Sequence, residues 1–515
     1  CIALLLYWSF GFALMFGTSQ DGVMGTSLFM LEVAADDSWP LAFFLFQAMF
    51  CTTAATIVSG AAAERMRFNA YLIVAALSAG LIYPLFGHWA WGGALREGQG
   101  WLAQQGFVDF AGSTVVHGVG GWIALATVMV IGPRAGRFDS KWLRQNMPGS
   151  NLPLAMLGGL LLLFGWFGFN GGSTLSFDGR VPGIVVNTVV AGMAGMALAM
   201  LISQWRHGYV EPVALLNGML AGLVAITASA HAVSIADSLL IGAGGGLAMW
   251  LADRLLVRCA IDDAVGAVPV HLAAGLWGTV AVALCGDPLL LGTGLSRFDQ
   301  LMVQLQGVLV CAVWAFGLTY LLLRLINRYY PMRVNPDDER VGLNVSEHGA
   351  RTELIELLDA MAEHQRQGHF QREVEVEPFT EVGQIAEQYN KVIRALQHAV
   401  AKTQSIVRDI RDGIVTYGHD GILTSCNPGA ERLFGLPAEQ IVGQPLQRFV
   451  VGNSASLLPE AGGELKTELM LHGKDGELFA AELTASQGNR PQDAFVCMVR
   501  DITERRQIEE QLFAE

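Results

Sequence analysis

The chain has 515 residues, a formal net charge of −14, 52% hydrophobic residues and only 15% charged ones. That is too apolar for a soluble protein of this length, and the acidity argues against a nucleic-acid surface. Residues 1–330 hold 14 of the 32 Lys and Arg and 16 of the 46 Asp and Glu, so the first part reads as membrane and the rest as an acidic soluble module.

A spanning helix needs roughly 20 apolar residues. Ten candidate segments follow in order, at about 1–17, 41–62, 70–88, 112–132, 152–173, 184–204, 212–230, 235–257, 264–286 and 300–324. Their connections alternate in charge. Arg65 and Arg67 follow the second segment, Arg134, Arg137, Lys141 and Arg144 the fourth, Arg206 the sixth, Arg254 and Arg258 the eighth, and Arg324 and Arg328 the tenth. The other connections are poor in Lys and Arg and carry Glu32, Asp36, Asp37, Asp178, Asp237 and Asp287. The positive-inside rule puts every even-numbered exit, and the C-terminal region with them, in the cytoplasm. Gly recurs through the segments, as small residues do where helix backbones approach closely in lipid. The seven Cys show no CxxC spacing, so Cys51, Cys285 and Cys311 read as small apolar residues rather than metal ligands.

Two stretches stand out: DFAGSTVVHGVGGW, residues 109–122, and DDAVGAVPVHLAAGLWG, residues 262–278. In each, an Asp precedes a His by eight positions: Asp109 before His117, and Asp263 before His271. Ionisable groups inside membrane segments are expensive and by default mark a path or a site. The fourth and ninth segments run in opposite directions, so an inverted repeat would place the two histidines about a pseudo-twofold axis near the midplane. Each His is then either a buried donor to a neighbouring carbonyl or one of two neutral imidazoles sharing a proton. Eight residues span about two turns, roughly 12 Å along a helix, so neither Asp touches its own His. The carboxylates read instead as caps on free amides at a helix start. Asp109, on the outer side, also biases a pore mouth toward cations.

Phe46 and Phe50 are four apart and share a helix face. GWFGFNGGS, residues 165–173, puts Phe167 and Phe169 beside Asn170 and Ser173, and HWAWGG places Trp91 at an outer interface. Taken singly these are belt or core aromatics. Taken together they make a cation site, in which aromatic faces attract a small cation and a Ser hydroxyl accepts its hydrogen bond.

AERMRF (63–68), HWAWGG (88–93), DFAGSTVVH (109–117), GWFGFNGGS (165–173), NTVVA (187–191), AGLVAITA (221–228) and DDAVGAVPVH (262–271) resemble the ammonium transporter family, Amt/Rh, in order over nearly all of residues 1–345. The resemblance implies an all-α polytopic membrane bundle with inverted repeats, assembled as a homotrimer of eleven-helix protomers. The first visible segment then matches the family's second helix, and the first helix is missing. Carried over, Trp91, Phe50, Ser173 and Asp109 match the ammonium recruitment site. Phe46, Phe50 and Phe169 match the gate below it, and His117 and His271 match the twin histidines of the pore. One departure is local: Leu272 follows the second His where the family usually has Gly, and Pro269 lies nearby. Ammonium or ammonia is the implied substrate, in a cell membrane, with lipid around it and a cytoplasmic P-II-type regulator or signalling protein as the implied partner.

Residues 331–349 resemble the family's C-terminal tail. Residues 350–403 read as two amphipathic helices with a break at Gly368 and Pro378; the second resembles a HAMP relay helix, and a plain coiled-coil linker fits equally. Residues 404–503 resemble a PAS domain, an α/β fold: a strand, the Asp420-Gly421 turn, a strand, Asn427-Pro428, a short helix with Leu433 and Phe434, a later hairpin about Asp475-Gly476, and a last strand ending Asp-Ile-Thr. The PAS ligand stays open. There is no flavin-photosensor Cys motif, and His419 falls in a turn rather than at a haem. Residues 504–515 begin a signalling helix, and a histidine kinase or diguanylate cyclase output is expected beyond Glu515. No enzyme is expected within the chain itself. The implied function is an ammonium transporter-like sensor relaying to the PAS domain; the alternative is a channel whose extension regulates flux.

Overall fold

The computed structural model describes residues 1–32, 37–138, 147, 149–350, 353–367, 373–376, 380–452, 463–487 and 495–514. Asp36, Lys141, Arg144, Gly368 and Pro378 from the sequence reading lie outside these residues. The chain divides into two compact units, Cys1–Ala350 and Arg351–Glu515.

In the first unit every candidate segment becomes a helix: α1 (Ile2–Phe16), α2 (Trp39–Ala61), α3 (Phe68–Trp91), α4 (Ser113–Ile131), α5 (Leu152–Thr174), α6 (Val181–His207), α7 (Pro212–Ile226), α8 (Ile235–Arg258), α9 (Val268–Cys285) and α10 (Arg297–Tyr329). Eight are long and apolar enough to cross a membrane; α1 and α7 are shorter. The seventh segment ends earlier than its apolar run. At Ile226 the chain leaves the helix, and the carbonyls of Thr227 and Ala228 accept from the amides of Ala111 and Phe110, 3.0 Å each. Those carbonyls serve a tertiary contact that hydropathy does not register. Helix starts are set locally. Asn151 caps α5 through the Leu154 amide, and Ser234 with Asp237 forms a capping box on α8.

Glycine decides how closely the helices cross. A Cβ on Gly222 or Gly242 would stand 2.2 or 2.1 Å from the Ala191 carbonyl oxygen, and one on Gly278 would stand 2.1 Å from that of Ala225. Helices α6, α7, α8 and α9 therefore pack backbone to backbone there, as small residues allow in lipid. α4 and α9 cross the same way and antiparallel. Gly275 lies on the Ser113 carbonyl, where a Cβ would be 2.4 Å away, and Gly121 on Leu272, 2.9 Å from its Cα. In each helix the glycine four residues past the His faces the residue just after the other His, or the turn before it. This is the inverted relation expected from the Asp-x7-His spacing.

The tail, with short helices Pro336–Val341 and Leu343–Ser346, folds back onto the unit. Met66 and Arg333 form a β-bridge, and the Phe68 amide donates to Glu347.

The second unit begins with α11 (Glu353–Gln367) and α12 (Glu381–Asp409). Between them Glu373 pairs with Arg394, and Asn390 holds both backbone groups of Val374 at 2.8 and 2.9 Å. Residues 373–376 thus run back along α12, and Leu357 of α11 packs with Val374 and Ala386. Further along both helices His364 stacks on Tyr389 at 6.0 Å and 12°, so α11 and α12 run in the same direction. Among the described residues five antiparallel strands follow: β1 (Gly413–Tyr417), β2 (Leu423–Cys426), β3 (Leu465–His472), β4 (Leu478–Gln487) and β5 (Phe495–Asp501), in the order β2-β1-β5-β4-β3. α13 (Pro428–Phe434) lies between β2 and β3, and α14 (Thr503–Ala514) follows β5. The turn between β1 and β2 uses Gly421 at φ +73°, with the Asp420 carboxylate accepting from the Ile422 amide. Asn427 is buried and fully used: its side-chain oxygen accepts from the amides of Ile414 and Ala430, and its amide group donates to the carbonyls of Val407 and Asp412.

Candidate functional site

His117 and His271 each sit on a π-helical turn, His117 on Ser113–Gly118 and His271 on Val268–Ala273. Such turns widen a helix by one residue and are frequent at functional sites. The cause is the same in both halves. A glycine with positive φ, Gly112 at +109° or Gly266 at +79°, opens the turn. The Asp three residues before it accepts the exposed amides. Asp109 takes those of Gly112, Thr114 and Val115 at 3.1, 2.9 and 2.8 Å. Asp263 takes those of Gly266 and Val268 at 3.0 and 2.6 Å. Both carboxylates are therefore caps, and neither touches its own histidine. Burial pushes Asp109 up to about 6 against the pull of these amides, and it raises Asp263 as well.

The turns bring the two rings together. Nδ1 of His117 lies 3.1 Å from Nδ1 of His271, with ring planes 15° apart. For that hydrogen bond one neutral ring donates and the other accepts. His117 is fully buried, and its Nε2 makes no hydrogen bond among the described residues. Trp166 stacks on His117 at 5.2 Å and 13°, held by its indole N–H donating to Thr227. Phe169 lies 5.5 Å from the same imidazole.

Beyond the histidines the aromatics form a short column. Phe50 and Phe169 stack at 4.1 Å and 20°, Phe46 leans on Phe50 at 4.7 Å, and Trp91 meets Phe50 edge-on at 6.2 Å. The Trp91 indole donates to the Asp109 carbonyl at 2.7 Å. Asp109 is itself buried, so the structure ties it to the aromatics through this carbonyl rather than through an exposed charge. Ser173 donates back to the Phe169 carbonyl, four residues earlier, which leaves its oxygen lone pairs free to accept. Phe167 points elsewhere, against Phe164.

On the far side of the histidines, connections meet in a buried ionic cluster around Asp262. Arg134 donates to both its oxygens, from Nε at 2.8 Å and Nη2 at 3.1 Å, and Arg137 pairs with it at 3.1 Å. Arg65, fully buried, donates to the Asp262 carbonyl at 2.6 Å and to the Gly132 carbonyl at 2.8 Å. Burial raises the Asp262 carboxyl, but the Arg134 hydrogen bonds and the Arg65 charge outweigh it and hold it below the usual carboxylate range.

A model of the Ammonium Transporter Family matches residues 1–353, and a PAS domain model matches residues 411–504. The chain belongs to the ammonium transporter family. The Synechocystis protein sll0537, named as a candidate ammonium transporter, is 51% identical over 401 residues, covering 77% of this chain and 74% of its own length. Ammonium transporter Amt2 of Archaeoglobus fulgidus is 40% identical over 367 residues, 67% of this chain and 77% of its own. Among solved structures, one titled Sensor Amt Protein superposes with a TM-score of 0.64 at 39% identity, covering 67% of this chain and 87% of its own.

In this ammonium transporter-family chain the structure gathers Trp91, Phe50, Phe46, Phe169, His117 and His271 into one line of ring contacts. Three features escape the sequence reading. Trp166 is three residues before Phe169 and seven before Ser173, a helical spacing that places it on the same face. Gly112 and Gly266 repeat three residues after each Asp. Asp262 lies beside a residue already noted, and nothing local marks its arginine partners.

Proposed function

We propose that this chain recruits ammonium at Trp91, Phe50 and Ser173, passes or registers it at the twin histidines, and relays the state to its PAS domain. The observation that carries this reading is the buried His117–His271 pair lying under the Phe50–Phe169 stack. Aromatic faces and the Ser173 oxygen attract a small cation that donates hydrogen bonds. A charged ion gains nothing from an apolar passage, so past the gate formed by Phe46, Phe50 and Phe169 ammonium transfers a proton to the His117 Nε2 and continues as neutral ammonia. The His117 Nδ1–H then passes a proton to the Nδ1 of His271 across the 3.1 Å contact, so that the proton and ammonia move by separate paths.

The arginine-rich connections support a cytoplasmic tail, linker and PAS domain in a multi-pass cell-membrane protein. The exposed apolar length of α5 supports burial against lipid or another subunit of a homotrimer. Parallel α11 and α12, with residues 373–376 running back along α12, favour the HAMP-like reading of 350–403 over a plain coiled coil. The PAS domain and the sensor likeness favour signalling, with an output beyond this chain. The intact aromatic column favours the second reading, a channel whose flux the extension regulates.

The test is ammonium-dependent current in membranes containing the full-length protein, beside ammonium-dependent hydrogen exchange of the PAS domain in the same preparation. Current without a PAS response removes the sensing reading. A PAS response without current removes conduction. An unchanged current on His117→Ala refutes the role given to the pair.

A further inference from the structure

We propose that Asp262 is a positioning residue for the His117–His271 pair, an assignment that rests on the twin-histidine reading above. The carboxylate sits where the inner ends of both histidine helices meet. Arg134, which it holds by two side-chain contacts and one amide contact, lies three residues past the end of α4 at Ile131. Asp263, the next residue in the chain, caps the turn that carries His271. Arg65 closes the link by donating to a carbonyl on each side, Gly132 and Asp262. Glu64 pairs with Arg134 from the rim. The tail grips the same loop: Arg333 donates to the Ile131 carbonyl at 3.2 Å, and Glu339 accepts from the Ala135 amide at 2.6 Å.

The lever arms make this consequential. α4 and α9 touch closely where Gly121 meets Leu272, which serves as a fulcrum. From Gly121 to the inner end at Ile131 is ten residues, about 15 Å; from Gly121 to His117 is four, about 6 Å. A shift of about 1 Å at the ionic cluster therefore moves His117 by roughly 0.4 Å. That suffices to stretch a 3.1 Å contact to the edge of a hydrogen bond. Arg134 and Arg137 hold the carboxylate from the connection after α4, and Arg65 stands 3.9 Å from it from the connection after α2, so its charge and reach both matter.

The test compares Asp262→Asn and Asp262→Glu in the full chain. Where Asp262→Asn does not accumulate, because three buried arginines lose their counter-charge, Asp262→Glu keeps the charge and carries the test. Two quantities are read on folded protein: ammonium current per molecule, and the through-hydrogen-bond coupling between 15N-labelled histidine rings. The expected result is loss of the ring-to-ring coupling with a fall in current of about tenfold, equivalent to about 1.4 kcal/mol. Coupling and current per molecule both unchanged would overturn the assignment, as would absence of the coupling in the unmodified protein. If the coupling is present and lost on substitution but the unmodified protein carries no current, conduction falls while the positioning role stands.

Discussion

Gly121 and Leu272 touch through their backbones, with room for no side chain on the glycine: a Cβ there would lie 2.7 Å from the Leu272 Cβ. This contact holds α4 and α9 at the separation that lets their histidines meet. Gly121→Ala must push the helices apart. We expect a loss of about 1–3 kcal/mol, as for overpacked cores, together with a reduced ammonium current. Leu272→Gly in the same chain removes the Cβ, the nearest of the colliding atoms, while the Leu272 Cα and N stay 2.9 Å away, so it should recover part of the current. Thermal unfolding in detergent and current measurements check the pair; a double variant no better than Gly121→Ala would show that the contact does not set the spacing.

Trp91 contributes an aromatic edge beside Phe50 and is no part of the Phe50–Phe169 stack itself. A cation–π contact of about 1–2 kcal/mol corresponds to roughly tenfold in affinity. Trp91→Leu is therefore expected to raise the ammonium concentration at half-maximal current by about tenfold and to leave the maximal current within about twofold. A fall in maximal current with an unchanged half-saturation would place Trp91 in the gate instead.

Asp109 supplies a pH dependence with a defined sign. Its folded value of about 6 lies above that of a free carboxyl. Its contribution to stability is thus greatest at low pH and is lost as pH rises through about 6. Its effect on a cation is opposite, because only the ionised form attracts one. Ammonium stays charged throughout this range, so current should drop as pH on the recruitment side falls through about 6, and Asp109→Asn should abolish that step while leaving a lower, flat profile. A wild-type profile flat from about pH 5 to 7 would exclude Asp109 as its source.

Asn427 makes four hydrogen bonds at the junction of α12, β1 and α13. Asn427→Ala leaves buried amides and carbonyls without partners, each costing about 1–3 kcal/mol. We expect the PAS sheet to exchange its amides at least tenfold faster, with the amides of α4 and α9 unaffected. Hydrogen exchange on the full chain separates the two regions, and an unchanged PAS sheet would contradict the role assigned to this side chain.

The ten apolar segments, the Asp-x7-His pairs and the strand–turn–strand order of the PAS domain are legible in the sequence because each is a local pattern. Hydropathy reports a helix that must face lipid, and a repeated interval reports a repeated turn. That Asp109 and Asp263 do not touch their own histidines follows from rise per residue alone. What the tertiary structure decided is which rings touch: His117 with His271, Trp166 over His117, Phe50 on Phe169. Those contacts depend on how closely α4, α5 and α9 cross, and that distance is set by glycines facing backbone from another helix. The Asp262 cluster is non-local for the same reason, since Arg137, Arg134 and Arg65 lie 125, 128 and 197 positions from it in the chain. Burial of a charge becomes tolerable only once those loops are assembled around it, so no single stretch of sequence could announce it.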